Sequence, residues 1–377
     1  MRKRILFILP SLSIGGLERV QVTIANALAK RGHSVTVITF DKGDDLVGEL
    51  NSSVRFIYKR PKYEWLKHIP KIRYYFDDGL WETRATPKAL YEYYVGKEKY
   101  DVEIAFFRGR SVKIISGSTN RNSVKLAWVH SDYRYCGGVS ANFKSMNDVK
   151  EAYKHFNKII AVSNQAKESF RDTIGDIFDI HVIYNMLPYE EIIEKAKQSC
   201  IVTKRCFTAI IVGRLQEVKG IDRLLSAIKQ LDSEKVILDL WIVGDGPECS
   251  RLKDIVERND MNNIRFFGMQ RNPYPFIKNA DLLVCSSRFE GYNLTVAEAL
   301  ILGVPVLSTR CTGPVEILDD GKYGLIVENS TEGLTDGLRE MVTDKNLYQH
   351  YKKMTAEGRT FFDEERIVKQ IEGLFYV

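Results

Sequence analysis

One arrangement occurs twice in this chain, and it limits the possible folds more than any other feature. An uninterrupted apolar run, Ile5-Leu6-Phe7-Ile8-Leu9, leads into a loop from Ser11 to Gly16. A helical pattern from Leu17 to Lys30 follows, then a β-branched run from Ser34 to Phe40. Strand, glycine loop, helix and strand in so short a stretch make a βαβ unit, whose strands run parallel because the helix carries the chain back. The plan returns at Phe207, with a strand to Val212, a loop from Gly213 to Gly220, a helix from Ile221 to Leu231 and a strand from Val236 to Val243. Apolar runs at 101–106, 124–129 and 159–162 extend the first series. Ile264–Phe267, Asp281–Cys285 and Val304–Leu307 extend the second. The expected architecture is therefore α/β, with two Rossmann-like domains facing across a cleft and ligands at the carboxyl ends of the strands. The polar stretch between Asn185 and Lys204 holds no strand pattern and marks the boundary, giving domains at 1–187 and 188–359.

Bulk properties agree with two soluble domains. A chain of 377 residues is long for one core. Its 44% hydrophobic and 28% charged residues are ordinary for a globular protein. No apolar run approaches the roughly 18 residues of a spanning helix. Met1-Arg2-Lys3-Arg4 looks like the charged start of a signal peptide, but the run behind it is short and ends at Pro10, so a buried strand is the better reading. The six cysteines, Cys136, Cys200, Cys206, Cys249, Cys285 and Cys311, form no C-x-x-C pair. That pattern fits reduced, buried thiols in a cytosol and argues against a structural zinc site. The net charge of +6 is uneven: residues 1–190 carry 30 Lys and Arg against 21 acids, whereas 191–377 carry 25 against 28. A basic half and a near-neutral half suit different partners.

The motifs lie in the loops after strands. Gly15-Gly16 stands directly before a helix, where free backbone N–H groups and the helix dipole favour an anion. The same glycines would serve any tight turn, and they do not make the G-x-G-x-x-G of dinucleotide binders. Gly213-Arg214 and Lys219-Gly220 put two cations at a strand's carboxyl end, suited to a pyrophosphate or equally to a solvated loop. The run Glu290-Gly291-Tyr292-Asn293-Leu294-Thr295-Val296-Ala297-Glu298 carries more weight. A helix starting near Asn293 puts Glu298 in its early turns and Glu290 on the loop before it. Each carboxylate can then accept from hydroxyls of a single ligand, while the N–H groups of 291–295 stay available to phosphate.

With these pieces in order, the chain resembles the family-4 retaining glycosyltransferases of the GT-B fold over essentially its whole length. The resemblance rests on Ser13-Ile14-Gly15-Gly16-Leu17-Glu18-Arg19, Gly213-Arg214-Leu215 with Lys219-Gly220, Val243-Gly244-Asp245-Gly246-Pro247, the Glu290 to Glu298 motif, and Gly313-Pro314-Val315-Glu316-Ile317. It implies that Glu298 binds the ribose hydroxyls and that Glu290 contacts the donor sugar. Arg214 and Lys219 would hold the diphosphate with backbone groups of Gly16 and of Asn293, Leu294 and Thr295. Gly268, Met269 and Gln270 would lie against the base, and His130 near the reacting sugar. The implied chemistry has no protein nucleophile, no cofactor and no metal, the cations and helix N-termini taking the metal's place. The tail from Phe361 to Val368 resembles the family's closing helix, placing about 360–377 with the first domain.

The expected reaction is transfer of a hexose or N-acetylhexosamine from a UDP-sugar to a lipid-linked saccharide or other glycan in bacterial surface polysaccharide synthesis. UDP rests on the likeness of Thr312-Gly313-Pro314-Val315-Glu316 to UDP-hexose users, although Arg310 replaces the acidic residue usual in that loop. Residues 55–75 interleave Arg55, Lys59, Arg60, Lys62, Lys67, Lys71 and Arg73 with Tyr58, Tyr63, Trp65, Tyr74 and Tyr75. This segment suits peripheral contact with an anionic membrane from the cytoplasmic face, or equally a solvated surface. No nucleic-acid module is expected. The rival readings are a GT-B epimerase or phosphorylase, and a catalytically idle module that binds a membrane or a partner.

Overall fold

The computed structural model describes residues 1–60, 80–134, 139–199 and 202–376. The chain divides into one unit of Met1–Met186 with Glu364–Val377, and a second of Leu187–Asp363. Both are Rossmann-like, each with a parallel sheet between helices.

In the first unit the strands are β1 (Arg4–Leu9), β2 (Ser34–Thr39), β3 (Arg55–Tyr58), β4 (Val102–Ala105), β5 (Val124–Val129), β6 (Lys158–Ala161) and β7 (Ile180–Val182). Their order is β3-β2-β1-β4-β5-β6-β7, and every pairing is parallel. Covered on both faces, such a sheet requires continuous apolar strands. Ile5 to Leu9 are accordingly all fully buried, with Ile5 level with Val35 on one side and Val102 on the other. Helix α1 (Gly16–Lys30) presents Val20, Ile24, Ala25 and Leu28 to the interior at helical spacing.

The C-terminal helix, Glu364–Gly373, belongs to this unit. It buries Ile367, Val368 and Ile371, and Leu374 and Phe375 follow into the same interior. Polar contacts fix its register. Arg31 donates from Nε to Glu372 (2.8 Å) and from Nη1 to Glu365 (3.0 Å). His33 Nδ1 accepts from the Lys3 amide at 3.1 Å, which leaves Nε2 to donate to Glu372 at 2.9 Å. These partners come from opposite ends of the sequence, so the tail completes the first unit.

The second unit contains β8 (Thr208–Val212), β9 (Asp239–Val243), β10 (Ile264–Phe266), β11 (Leu282–Cys285), β12 (Val306–Thr309) and β13 (Leu325–Val327), in the order β10-β9-β8-β11-β12-β13. Alternation along the strands separates two cores. Ile210, Trp241, Val243, Leu283 and Cys285 face helix α3 (Leu294–Ile301). Ala209, Ile211, Leu240, Ile242 and Val284 face helices α2 (Ile221–Ser233) and α4 (Thr331–Thr343). In both sheets the order reverses beside the first strand of its unit. The chain builds outward from β1 to β3 and returns as β4; likewise it builds from β8 to β10 and returns as β11. In folds of this kind ligands bind at the carboxyl ends of the strands beside such a reversal point.

Most of the basic-aromatic segment lies outside the described residues. Its first part forms edge strand β3, and Lys59, just after it, lies over the Tyr93 ring at 5.2 Å. Cys136 and Cys200 are likewise outside; Cys206, Cys249, Cys285 and Cys311 are free thiols. Among the described residues no helix is long and apolar enough to cross a membrane.

Candidate active site

The loops after β8 and β11 meet at the reversal point of the second sheet. The chain leaves β8 through Gly213, whose φ of +147° lies in the region open chiefly to glycine. It then turns through a short 3₁₀ segment, Glu217–Lys219, to Gly220 in the left-handed conformation. A side chain at Gly220 would run into the carbonyl oxygen of Ser286, so the two loops touch only because this position is glycine. Ser286 Oγ returns a bond to the Lys219 carbonyl (2.8 Å), and Arg288 N donates to the Val218 carbonyl (2.8 Å).

That contact brings Lys219 and Glu290 together across 71 residues, with Nζ 2.7 Å from Oε2. Burial opposes the lysine's charge, but the opposite charge and hydrogen bond of Glu290 outweigh it and hold the ammonium above its ordinary pKa. Lys219 therefore stays a cation at neutral pH. Glu290 Oε2 also accepts from Ser287 Oγ (3.1 Å) and, at the long limit, from Asn293 Nδ2 (3.5 Å). Arg214, next to Gly213, is exposed and has no hydrogen-bond or ion-pair partner among the described residues.

Asn293 caps α3, its Oδ1 accepting from the Thr295 amide (3.1 Å) and hydroxyl (2.6 Å). Its Nδ2 donates to Cys285 Sγ at 3.2 Å. Gly291, Tyr292 and Leu294 complete the turn into α3. Helix Thr312–Ile317 abuts it, with Gly313 N donating to the Glu290 carbonyl at 3.2 Å. Glu298 sits on the second turn of α3, buried, with Tyr274 Oη 3.4 Å from its Oε1. Gly268, Met269 and Gln270 follow β10, where Gly268 accepts from the Gly244 amide (2.8 Å) and Gln270 donates to the Phe267 carbonyl (2.7 Å). The Met269 side chain is exposed. Arg310 pairs with exposed Asp320 at 3.0 Å.

In the first unit, Gly15, Gly16 and His130 all lie at carboxyl ends, after β1 and β5. Gly15 caps α1 in an extended conformation without a side-chain bond. The carboxylate of Glu18, in the first turn, folds back over Gly15 and takes up the space beside it. Burial raises the Glu18 pKa, and a bond from its own amide partly offsets that. An anion at this helix start would thus share it with a carboxylate of the chain itself. His130 lies 4.6 Å from the Phe106 ring and 6.3 Å from Trp128. Burial pushes its pKa down to about 3, with Arg108 adding to the shift and a bond to the Phe106 backbone opposing it. The imidazole is neutral at pH 7, and its Nε2 has no hydrogen-bond partner among the described residues.

Sequence reasoning missed the residues that hold the loop of Glu290. The Ser287 carbonyl accepts from Thr309 Oγ1 (2.7 Å) and Cys311 Sγ (2.8 Å). Arg223 donates to the Ser286 carbonyl (3.0 Å), and Arg288 makes paired bonds to Asp222 (2.9 and 2.7 Å). Serines and arginines near turns are too common to signal such roles without the strand order. Among the described residues no group of three or more His, Cys, Asp or Glu is arranged to hold a metal ion.

Comparison with known proteins matches the two units to two sequence families. Residues 14–191 match Glycosyltransferase Family 4, and residues 192–360 match Glycosyl transferases group 1. An uncharacterised glycosyltransferase of Methanocaldococcus jannaschii is 29% identical over 272 residues, covering 59% of this chain and 66% of that protein. The lipopolysaccharide core biosynthesis glycosyltransferase LpsE of Rhizobium meliloti is 33% identical over 138 residues, 36% of this chain and 39% of that one. The matched stretches thus span less than two thirds of these relatives' lengths. Anabaena HepE, solved in complex with UDP and glucose, superposes with a TM-score of 0.76 at 19% identity, covering 99% of both chains. Two matched families in this order, on two Rossmann-like units that share the HepE fold, mean that the chain belongs to the family-4 glycosyltransferases of the GT-B fold.

Proposed function

We propose that the protein is a retaining, metal-independent glycosyltransferase that moves a hexose or N-acetylhexosamine from a UDP-sugar to a lipid-linked saccharide or other glycan in surface polysaccharide assembly. The observation that carries the reading is the pairing of Lys219 with Glu290 at the reversal point, where the loop of Lys219 also carries Arg214, which has no partner among the described residues. Cleavage of the anomeric C–O bond leaves positive charge on the sugar ring and negative charge on the diphosphate. Arg214, Lys219 and the N–H groups at the start of α3 would stabilise the leaving group as it develops that charge. Glu290 would accept from a hydroxyl of the sugar and Glu298 from the ribose. Gly268, Met269 and Gln270 would flank the base. In the first unit, Gly15, Gly16 and neutral His130 would serve the diphosphate and the reacting sugar. The acceptor oxygen bonds to the anomeric carbon on the face the diphosphate leaves, and its proton passes to the departing phosphate.

UDP as the nucleotide draws support from HepE, whose complex holds UDP. A surface polysaccharide role draws support from LpsE, named for lipopolysaccharide core biosynthesis. Work at the inner face of a membrane draws support from the basic first half, which suits an anionic surface. Calorimetric titration with UDP in the presence of EDTA tests the donor half. We expect saturable binding that Arg214→Ala with Glu298→Ala abolishes; no binding by the wild type, or undiminished binding by the variant, would refute it.

A further inference from the structure

We propose that Ser287 and Asn293 are positioning residues that tie down one oxygen of Glu290 and so aim the other at the donor sugar. The proposal rests on the glycosyltransferase reading above. Among the described residues the three donors to this carboxylate converge on Oε2: Lys219 Nζ at 2.7 Å, Ser287 Oγ at 3.1 Å and Asn293 Nδ2 at 3.5 Å. None reaches Oε1. A carboxylate free to turn can offer either oxygen or bridge two hydroxyls, whereas this one presents a single directed acceptor.

Both residues are themselves fixed. Ser287 is 2% exposed, and its carbonyl is held by Thr309 and Cys311. Asn293 is 7% exposed. Its Oδ1 is committed to Thr295, so its amide can only point Nδ2 towards Glu290 and Cys285. One side chain thereby links the start of α3, which carries Glu298, to the orientation of Glu290. The geometry of the ribose contact and that of the sugar contact are set together.

The competing account gives Asn293 a capping role and Ser287 a packing role, with no effect on Glu290. Asn293→Asp separates the two, because aspartate caps a helix as well as asparagine. It also removes the donor and sets a second carboxylate beside Glu290. Ser287→Ala removes the hydroxyl and keeps the backbone acceptor. In the full chain we would measure UDP release from UDP-glucose and the other donors of a panel, inhibition by UDP, thermal unfolding, and the crystal structures of both variants.

The expected result is unfolding within a few degrees of wild type and a kcat lower by about 10- to 100-fold. UDP inhibition of Ser287→Ala should be unchanged, and the Glu290 carboxylate should be rotated. Wild-type kcat in both variants would overturn the proposal, as would a carboxylate unmoved in both, whatever the rate. If the wild type turns over no donor even with a bacterial membrane extract as acceptor source, the glycosyltransferase reading fails. The two crystal structures then decide the positioning claim alone.

Discussion

Charge at single residues suits the candidate site to a diphosphate at neutral pH. Glu290 holds Lys219 in its cationic form, and Lys219 in turn offsets the cost of a half-buried carboxylate. His130 behaves in the opposite way, because its aromatic surroundings exclude the charged ring. The folded imidazole takes a proton only near pH 3, whereas an unfolded one does so near its ordinary value of 6.5. Between those limits the unfolded chain binds more protons, so stability rises with pH and falls on acidification. Below about pH 6.5 the loss approaches about 1.4 kcal/mol per pH unit. His130→Gln should flatten the acid limb of a plot of melting temperature against pH. Parallel curves for wild type and variant would show that the ring titrates freely. Catalytic rates should likewise carry no inflection from this histidine between pH 5 and 8.

Elements differ in how plainly the sequence announces them. Central strands such as β1, β5 and β8 are legible because burial on both faces demands an unbroken apolar run. Strands β3, β7 and β13 carry no such run, and each is a short edge strand with half-exposed residues. The candidate site is legible to a similar degree. Glu290, Glu298, Arg214 and Lys219 stand out by residue type in glycine-marked loops. That Lys219 touches Glu290 depends on β11 returning beside β8, which no local pattern states. The C-terminal helix makes the strongest prediction at this scale. It and the residues after it bury Ile367, Val368, Ile371, Leu374 and Phe375 in the first unit. At about 1.5–3 kcal/mol for each side chain, their loss rivals the whole stability of a domain. A chain ending at Asp363 should therefore be insoluble or unfolded by circular dichroism. A soluble, cooperatively melting product would show the tail to be dispensable.

For the whole molecule, the two units have distinct chemical characters. The second concentrates the candidate donor-binding groups, with Lys219 and Glu290 at its reversal point, and the first carries the basic excess and the neutral histidine. The central claim is that the full chain transfers sugar from a nucleotide diphosphate. The direct measurement is release of nucleoside diphosphate from a panel of UDP- and GDP-sugars, with EDTA and with a bacterial membrane extract as acceptor source. We expect turnover of a UDP-sugar that survives EDTA and falls by about 10²–10³ in Arg214→Ala. No release from any donor with the extract present, or turnover indifferent to Arg214→Ala and Glu298→Ala, would contradict it.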